Sequence, residues 1–173
     1  GLIGAALALS LSDTGLTICI LEKNTQFNPN NTKLDKRTVA ISEGTKNFLE
    51  KIGVWKDIKQ LSEPIKNIKI IDRKINNIIN FDNDRRKSNL GYIVKNTDLM
   101  TVFYKQLSKK KNVKLINNIK INKIENSNNC NILYSNKVRI NSKLNVAADG
   151  KNSFIKKIYK TTFYSKKYNK DAL

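Results

Sequence analysis

The chain has 173 residues, of which 39% are hydrophobic and 27% are charged, a composition typical of a soluble folded domain and not of a disordered segment. Its formal net charge of +19 favours an anionic partner, such as anionic lipid or a phosphorylated cofactor. The absence of His argues against Ser-His and Cys-His catalysis and against zinc, so we expect chemistry carried by a cofactor and predict no metal site.

The N-terminal third of the chain predicts a helix, a strand and a second helix. Residues 2–12 form a helix of small residues that Gly15 ends. Residues 16–23 are apolar and rich in β-branched side chains, which is typical of a buried parallel strand. After a polar loop, Ser42 is expected to cap a helix that Gly53 ends.

Strand patterns then alternate with one more helix. Apolar residues between 65 and 94 predict a small antiparallel sheet, which follows a short helical segment at 54–61. Asn96 or Thr97 is expected to cap an amphipathic helix that ends at a run of lysines. The remaining strand patterns lie within 113–141 as short strands, followed by an apolar strand at 144–149. We expect residues 17–22 and 144–148 to share a parallel sheet, with Gly1, Glu22 and Asp149 converging at one end of it.

Gly1, Gly4 and Glu22 have the spacing of a dinucleotide-binding unit. Gly1 would let the backbone approach a pyrophosphate, Gly4 would let the helix pack closely on a sheet, and the helix N-terminus would offer N–H groups to phosphate. Glu22 ends the predicted strand, where the pattern places an acid that binds a ribose hydroxyl. The alternative is a surface Glu with a glycine used for packing. The first strand of the pattern is absent from the sequence, so we expect a fragment of a longer enzyme.

Three further segments carry motifs that can be compared with known families. Residues 35–55 contain DKRTVAIS and GTKNFLEKIGVW, residues 90–99 read LGYIVKNTDL, and residues 146–157 read VAADGKNSFIKK. The first two resemble segments of the FAD-dependent monooxygenases that hydroxylate ubiquinone precursors. The third resembles the Asp-Gly motif of flavoprotein aromatic hydroxylases. The matches occur in the family's order, so the resemblance covers essentially the whole chain.

The resemblance implies an α/β fold, namely a Rossmann-like FAD-binding domain without its first strand and the beginning of a β-sheet substrate domain. Residues 1–64 and 93–173 would belong to the FAD-binding domain, with a β-meander within 113–141. Residues 65–92 would begin the substrate-binding sheet. The later Gly-Asp motif and most of the substrate sheet are absent, so we expect the chain alone not to complete a flavin site.

The resemblance also implies which residues contact the cofactors. The planar fork of Arg37 suits pyrophosphate or ribose oxygens, although an Arg covering an apolar edge is the alternative. Asn96 would line the groove near the adenosine part or serve as a helix cap. Asp149 and Gly150 would form a turn near the pyrophosphate and the path of NAD(P)H, or an ordinary Asp-Gly turn. The implied cofactor-binding residues are Gly1, Gly4, Glu22, Lys23, Arg37, Asn96, Asp149 and Gly150.

The expected activity is hydroxylation of a polyprenyl phenol with FAD, NAD(P)H and O₂, while the protein positions the reactants and excludes water. We expect a cytoplasmic chain with two reduced thiols, Cys19 and Cys130, and a peripheral contact with the inner membrane or a ubiquinone-biosynthesis complex.

Three alternatives are open. One is another aromatic hydroxylase, or a geranylgeranyl reductase-like enzyme, of the same superfamily, against which residues 35–55 argue. The second is a basic nucleic-acid-binding module, but the cations are mostly dispersed lysines, whereas clustered Arg favours nucleic acid. We therefore predict no nucleic-acid partner. The third alternative is an inactive gene fragment.

Overall fold

The computed structural model describes residues 1–23, 35–72, 77–82, 89–127, 129–162 and 164–166. The chain forms two compact units, Gly1–Asn118 and Ile119–Leu173. In the described part of the first unit, the helices are α1 (Leu2–Leu11), α2 (Glu43–Lys51), α3 (Trp55–Lys59) and α4 (Asn96–Leu107), and the strands are β1 (Ile18–Leu21), β2 (Thr38–Ile41), β3 (Ser62–Ile65), β4 (Asn67–Asp72), β5 (Asn77–Asp82), β6 (Gly91–Lys95) and β7 (Val113–Ile116).

The predicted buried strand is β1, which pairs in parallel with β7 so that Ile18 lies opposite Val113. α1 precedes β1, and Gly15 in the connection has a φ of +80°, a backbone conformation that glycine adopts without steric cost. Ala5 and Ala8 of α1 are buried in the core. Their small side chains allow a close approach of α1 to its neighbours, including α4, whose Val102 and Phe103 join the same core.

A second sheet of the first unit has the strand order β2–β6–β3 and is antiparallel. α2 follows β2, and the predicted cap is confirmed because the hydroxyl of Ser42 accepts a hydrogen bond from the Thr45 amide at 3.3 Å. Gly53 ends the helix with a φ of +74°. The rings of Trp55 and Tyr92 meet edge to face at 4.8 Å, which joins α3 to the central strand of this sheet.

The expectation of one small sheet over residues 65–94 is wrong. β4 and β5 form a separate antiparallel hairpin, whereas β6 pairs with β2 and β3. Strand patterns in one stretch of sequence do not reveal partners that lie elsewhere in the chain. The hairpin exposes apolar side chains on both faces, namely Ile68, Ile70, Ile71, Ile78, Ile79 and Phe81.

The second unit contains the meander β8 (Ile121–Asn126), β9 (Asn131–Ser135) and β10 (Arg139–Ser142), followed by a short helix, α5 (Phe154–Ile158). The first of the strand patterns within 113–141 is β7, which pairs with β1 and does not belong to the meander.

The predicted strand at 144–149 is not observed, so the expectation that it shares a parallel sheet with residues 17–22 is wrong for this structure. A strand is defined by a hydrogen-bonded ladder, and no strand in the described part of the chain pairs with this segment. Its side chains Leu144 and Val146 are 75% and 57% exposed. Both cysteines are free thiols, as expected.

Candidate functional site

The carboxyl end of β1 brings the predicted acid and the predicted phosphate-binding glycine together. The amide of Glu22 donates to the carbonyl of Ile116 at 2.9 Å, which extends the β1–β7 pairing by one residue. Oε2 of Glu22 lies 3.1 Å from the nitrogen of Gly1, and the Glu22 side chain is 21% exposed. Gly1 is the N-cap of α1, and a Cβ built on it would meet no atom within 4 Å. The space beside the Cα of Gly1 is therefore open in this structure.

A tyrosine that the sequence analysis missed lies near this acid. Tyr104 on α4 is half-buried, and burial, followed by the negative charge of Glu22, raises the pKa of its hydroxyl. Nothing in the sequence distinguishes Tyr104 from the other side chains of an amphipathic helix. Gly4 lies within α1 and is half-buried, and Lys23 follows Glu22 and is exposed. The roles of Gly4 and Lys23 stay predictions.

A second polar cluster forms where β2 begins and β6 ends. The two strands pair with Thr38 opposite Lys95, so Arg37 and Asn96 are neighbours just beyond that pair. The amide of Asn96 donates to the carbonyl of Arg37 at 3.0 Å. The antiparallel register therefore places two of the predicted cofactor residues side by side.

Asp35 completes this cluster through three hydrogen bonds from Arg37. Nε of Arg37 donates to Oδ1 of Asp35 at 2.8 Å, Nη2 donates to Oδ2 at 2.8 Å, and the Arg37 amide donates to Oδ1 at 3.0 Å. These bonds hold the pKa of Asp35 far below its ordinary value, with the guanidinium bonds as the largest cause. The Asp35 carboxylate raises the pKa of Arg37 in turn. The Arg37 side chain is 79% exposed, against 29% for Asp35.

The predicted capping role of Asn96 or Thr97 is wrong. α4 begins at Asn96 itself, its N-cap is Lys95, and no side chain caps the helix. The side chain of Asn96 makes the smallest contribution to the lowered pKa of Asp35. Since Tyr104 lies eight positions after Asn96, α4 links the two polar clusters over about 12 Å of helix rise.

The Asp-Gly turn lies in the second unit. Oδ2 of Asp149 accepts hydrogen bonds from the amides of Phe154 at 2.7 Å and Ile155 at 3.3 Å, and Gly150 has a φ of +80°. Burial opposes the charged form of Asp149, but the bonds from Ser153 and from these amides outweigh it and lower its pKa. The carboxylate therefore fixes the start of α5, which agrees with the structural alternative for this residue. Cofactor contacts of Asp149 and Gly150, and their convergence with Glu22, stay predictions.

Comparison with known proteins identifies the family. Residues 1–171 match the family described as the FAD binding domain, and the chain belongs to it. Ubiquinone biosynthesis monooxygenase COQ6 of Drosophila melanogaster is 24% identical over 186 residues, which cover 100% of this chain and 39% of that protein. Ubiquinone hydroxylase UbiM of Neisseria meningitidis is 21% identical and matches 86% of this chain and 34% of its own length. The chain thus spans about two fifths or less of these relatives.

Solved structures support the fold. The p-nitrophenol 4-monooxygenase PnpA of Pseudomonas putida superposes with a TM-score of 0.79 and 20% identity, covering 94% of this chain and 42% of that one. PqsL of Pseudomonas aeruginosa, described as a probable FAD-dependent monooxygenase, gives a TM-score of 0.80 at 13% identity, covering 97% of this chain and 45% of that one. These likenesses and the family confirm the predicted α/β fold of an FAD-binding domain.

The donor set fits FAD. A dinucleotide has ribose hydroxyls, which donate hydrogen bonds to a carboxylate. It also has an anionic pyrophosphate, which helix N–H groups and a guanidinium bind. Glu22 has the acceptor that a ribose hydroxyl would need, and the N-terminus of α1 beside Gly1 and the exposed fork of Arg37 have donors that a pyrophosphate would need. Within the described ranges, no group of residues could hold a metal ion.

Proposed function

We propose that the protein carrying this chain is an FAD-dependent monooxygenase that hydroxylates the aromatic ring of a polyprenyl-phenol ubiquinone precursor. The observation that carries the proposal is the meeting of Gly1 and Glu22 at the carboxyl end of β1, in a chain that matches the FAD binding domain family over residues 1–171. Ligands of open α/β sheets bind outside this end of the strands.

The reaction would consume one O₂ and one NAD(P)H for each hydroxyl group formed. One oxygen atom enters the ring, the other leaves as water, and the reduced nicotinamide supplies two electrons. Bound FAD would supply the activation of oxygen. In this scheme Glu22 accepts a hydrogen bond from a ribose hydroxyl, and the N-terminus of α1 and Arg37 hold phosphate oxygens. Gly1, which has no side chain, leaves room for the phosphate to approach the backbone.

The choice of a prenylated phenol is supported by the names of the Drosophila and Neisseria relatives, which are a ubiquinone biosynthesis monooxygenase and a ubiquinone hydroxylase. A second candidate is a related FAD enzyme that hydroxylates a small phenol, favoured by the likeness to p-nitrophenol 4-monooxygenase at a TM-score of 0.79. No helix in the described part of the chain is long and apolar enough to cross a membrane. Contact with the inner membrane or with a biosynthetic complex, and a cytoplasmic location, stay predictions.

Turnover of the full-length protein tests the proposal. The purified protein is loaded with FAD and supplied with NADH or NADPH, in parallel with a short-chain prenyl phenol and with p-nitrophenol. We expect oxygen consumption coupled to a prenyl-phenol product that contains one additional oxygen atom, measured by mass spectrometry with ¹⁸O₂. Preference for p-nitrophenol would favour the second candidate. A protein that does not bind FAD would contradict both.

A further inference from the structure

The contacts of Arg37 raise the question of what its exposed ion pair does. A surface ion pair contributes little to the stability of a fold, and the Arg37 side chain is 79% exposed. Yet its guanidinium is held at two points by Asp35, at 2.8 Å for each bond. A two-point contact fixes the plane of the guanidinium as well as its position.

We propose that Asp35 is a positioning residue that holds Arg37 in the orientation in which it receives the anionic part of FAD. This inference rests on the proposed function, because FAD is the ligand that Arg37 would meet. Asp35 itself need not touch the cofactor. Its effect passes through the geometry and the conformational freedom of the guanidinium.

The donors that Asp35 occupies support this role. A guanidinium has five N–H donors, and Asp35 engages Nε and Nη2. This contact uses two of the five donors and leaves three, namely two on Nη1 and one on Nη2. The edge formed by Nη1 and Nη2 is therefore left to bind a phosphate or ribose oxygen.

Asn96 connects the backbone at Arg37 to α4. The amide of Asn96 donates to the carbonyl of Arg37 at 3.0 Å, and the Asn96 side chain makes the smallest contribution to the lowered pKa of Asp35. Asn96 is the first residue of α4, so the backbone position of Arg37 is linked to a long helix that packs in the core.

A competing effect has the opposite sign. The negative charge of Asp35 partly neutralises Arg37 and would weaken its attraction for a phosphate. If the ordering of the Arg37 side chain is the larger effect, removal of the Asp35 carboxylate weakens FAD binding, because the cofactor must then immobilise a free side chain. If neutralisation prevails, removal of the carboxylate tightens FAD binding. The sign of the change therefore decides between the two effects.

The experiment is a double-mutant cycle on the full-length protein that carries residues 1–173. FAD dissociation constants are measured by flavin fluorescence for the wild type, Asp35→Asn, Arg37→Ala and the double variant, at fixed salt. We expect Asp35→Asn to weaken FAD binding about three- to tenfold when Arg37 is present. It should have no further effect in the Arg37→Ala background.

Glu43→Gln is the matched control. It removes the same charge from an exposed ion pair on α2, where Glu43 meets Lys46 at 2.7 Å, and should leave FAD affinity unchanged. The apoprotein melting temperature should be equal in all variants. Unchanged or tighter binding by Asp35→Asn, or an equal loss in the Arg37→Ala background, would overturn the inference while leaving the proposed function intact. A wild type without FAD affinity would overturn both.

Discussion

The nitrogen of Gly1 lies 3.1 Å from Oε2 of Glu22, although the two residues are 21 positions apart in the sequence. The N-terminus of α1 lies beside the carboxyl end of β1, because the helix and the strand that follows it run in opposite directions. The two groups that a dinucleotide needs, an open helix N-terminus and a carboxylate, therefore share one end of the β1–β7 pair. This proximity makes Glu22 the most direct target for mutation.

Replacement of Glu22 by Ala in the full-length protein should weaken FAD binding by roughly 1–3 kcal/mol, because it leaves a ribose hydroxyl without its acceptor. Titration followed by flavin fluorescence measures the change. Glu63→Ala, an exposed acid on the edge strand β3, is the control and should bind FAD as the wild type does. Equal affinities for wild type and Glu22→Ala would show that Glu22 is a surface acid.

Gly91 provides a test of packing in the central strand β6. A Cβ at this position would lie 2.7 Å from the carbonyl oxygen of Ile41, which is backbone and cannot rotate away. Gly91→Ala should therefore lower the free energy of unfolding by about 1–3 kcal/mol, as measured by urea denaturation.

Gly44→Ala is the control for that variant. Gly44 lies in α2, and its Cβ would meet nothing within 4 Å, so the change should stabilise the protein by roughly 0.5–1 kcal/mol. If both variants had the same stability, the close approach of β6 to Ile41 would not be a constraint in solution.

Local signals allowed several elements to be predicted from the sequence. Ser42 and Gly53 fixed the ends of α2, since capping and a positive φ depend on residues within a few positions. The run of apolar residues 16–23 predicted β1 for the same reason. The spacing of Gly1 and Glu22 predicted their proximity, because a helix followed by a strand returns the chain to the same end.

Non-local pairing explains the errors. β7 has the same pattern as the meander strands, and nothing in its sequence shows that it pairs with β1. Asn96 has the residue type of a helix cap, but α4 begins at Asn96 itself and Lys95 is its N-cap. The Asp35–Arg37 pair was visible in the sequence as an acid two residues before an Arg, but only the β2–β6 register reveals that Asn96 lies beside it.

The turn formed by Asp149 and Gly150 should lose stability at low pH, because Asp149 then becomes protonated. The pKa of Asp149 is lowered in the folded protein, so its contribution to stability is present above the ordinary carboxyl pKa of about 3.9 and is lost as the pH falls through the lowered folded value. Hydrogen exchange at the Phe154 amide, which donates to Asp149 at 2.7 Å, should be slow at pH 6.

Asp149→Asn provides the comparison for this exchange measurement. The variant should expose the same amide at pH 6 and should differ less from wild type as the pH approaches the folded pKa. Glu125→Gln, a change of equal charge on β8, should leave the Phe154 amide protected. Equal protection in wild type and Asp149→Asn at pH 6 would show that the carboxylate does not hold α5.

The last prediction concerns residues 1–173 expressed without further sequence. The chain spans about two fifths of the relatives it matches, the β4–β5 hairpin exposes apolar side chains on both faces, and the apolar segment 144–148 has no strand partner among the described residues. Exposed apolar surface of this kind promotes association, and an open site does not exclude water from a reactive intermediate. We therefore expect aggregation on size-exclusion chromatography, weak FAD binding and no NAD(P)H-dependent oxygen consumption. A monomer with one tightly bound FAD per chain would contradict this prediction and would show that Glu22, Arg37 and the N-terminus of α1 suffice to hold the cofactor.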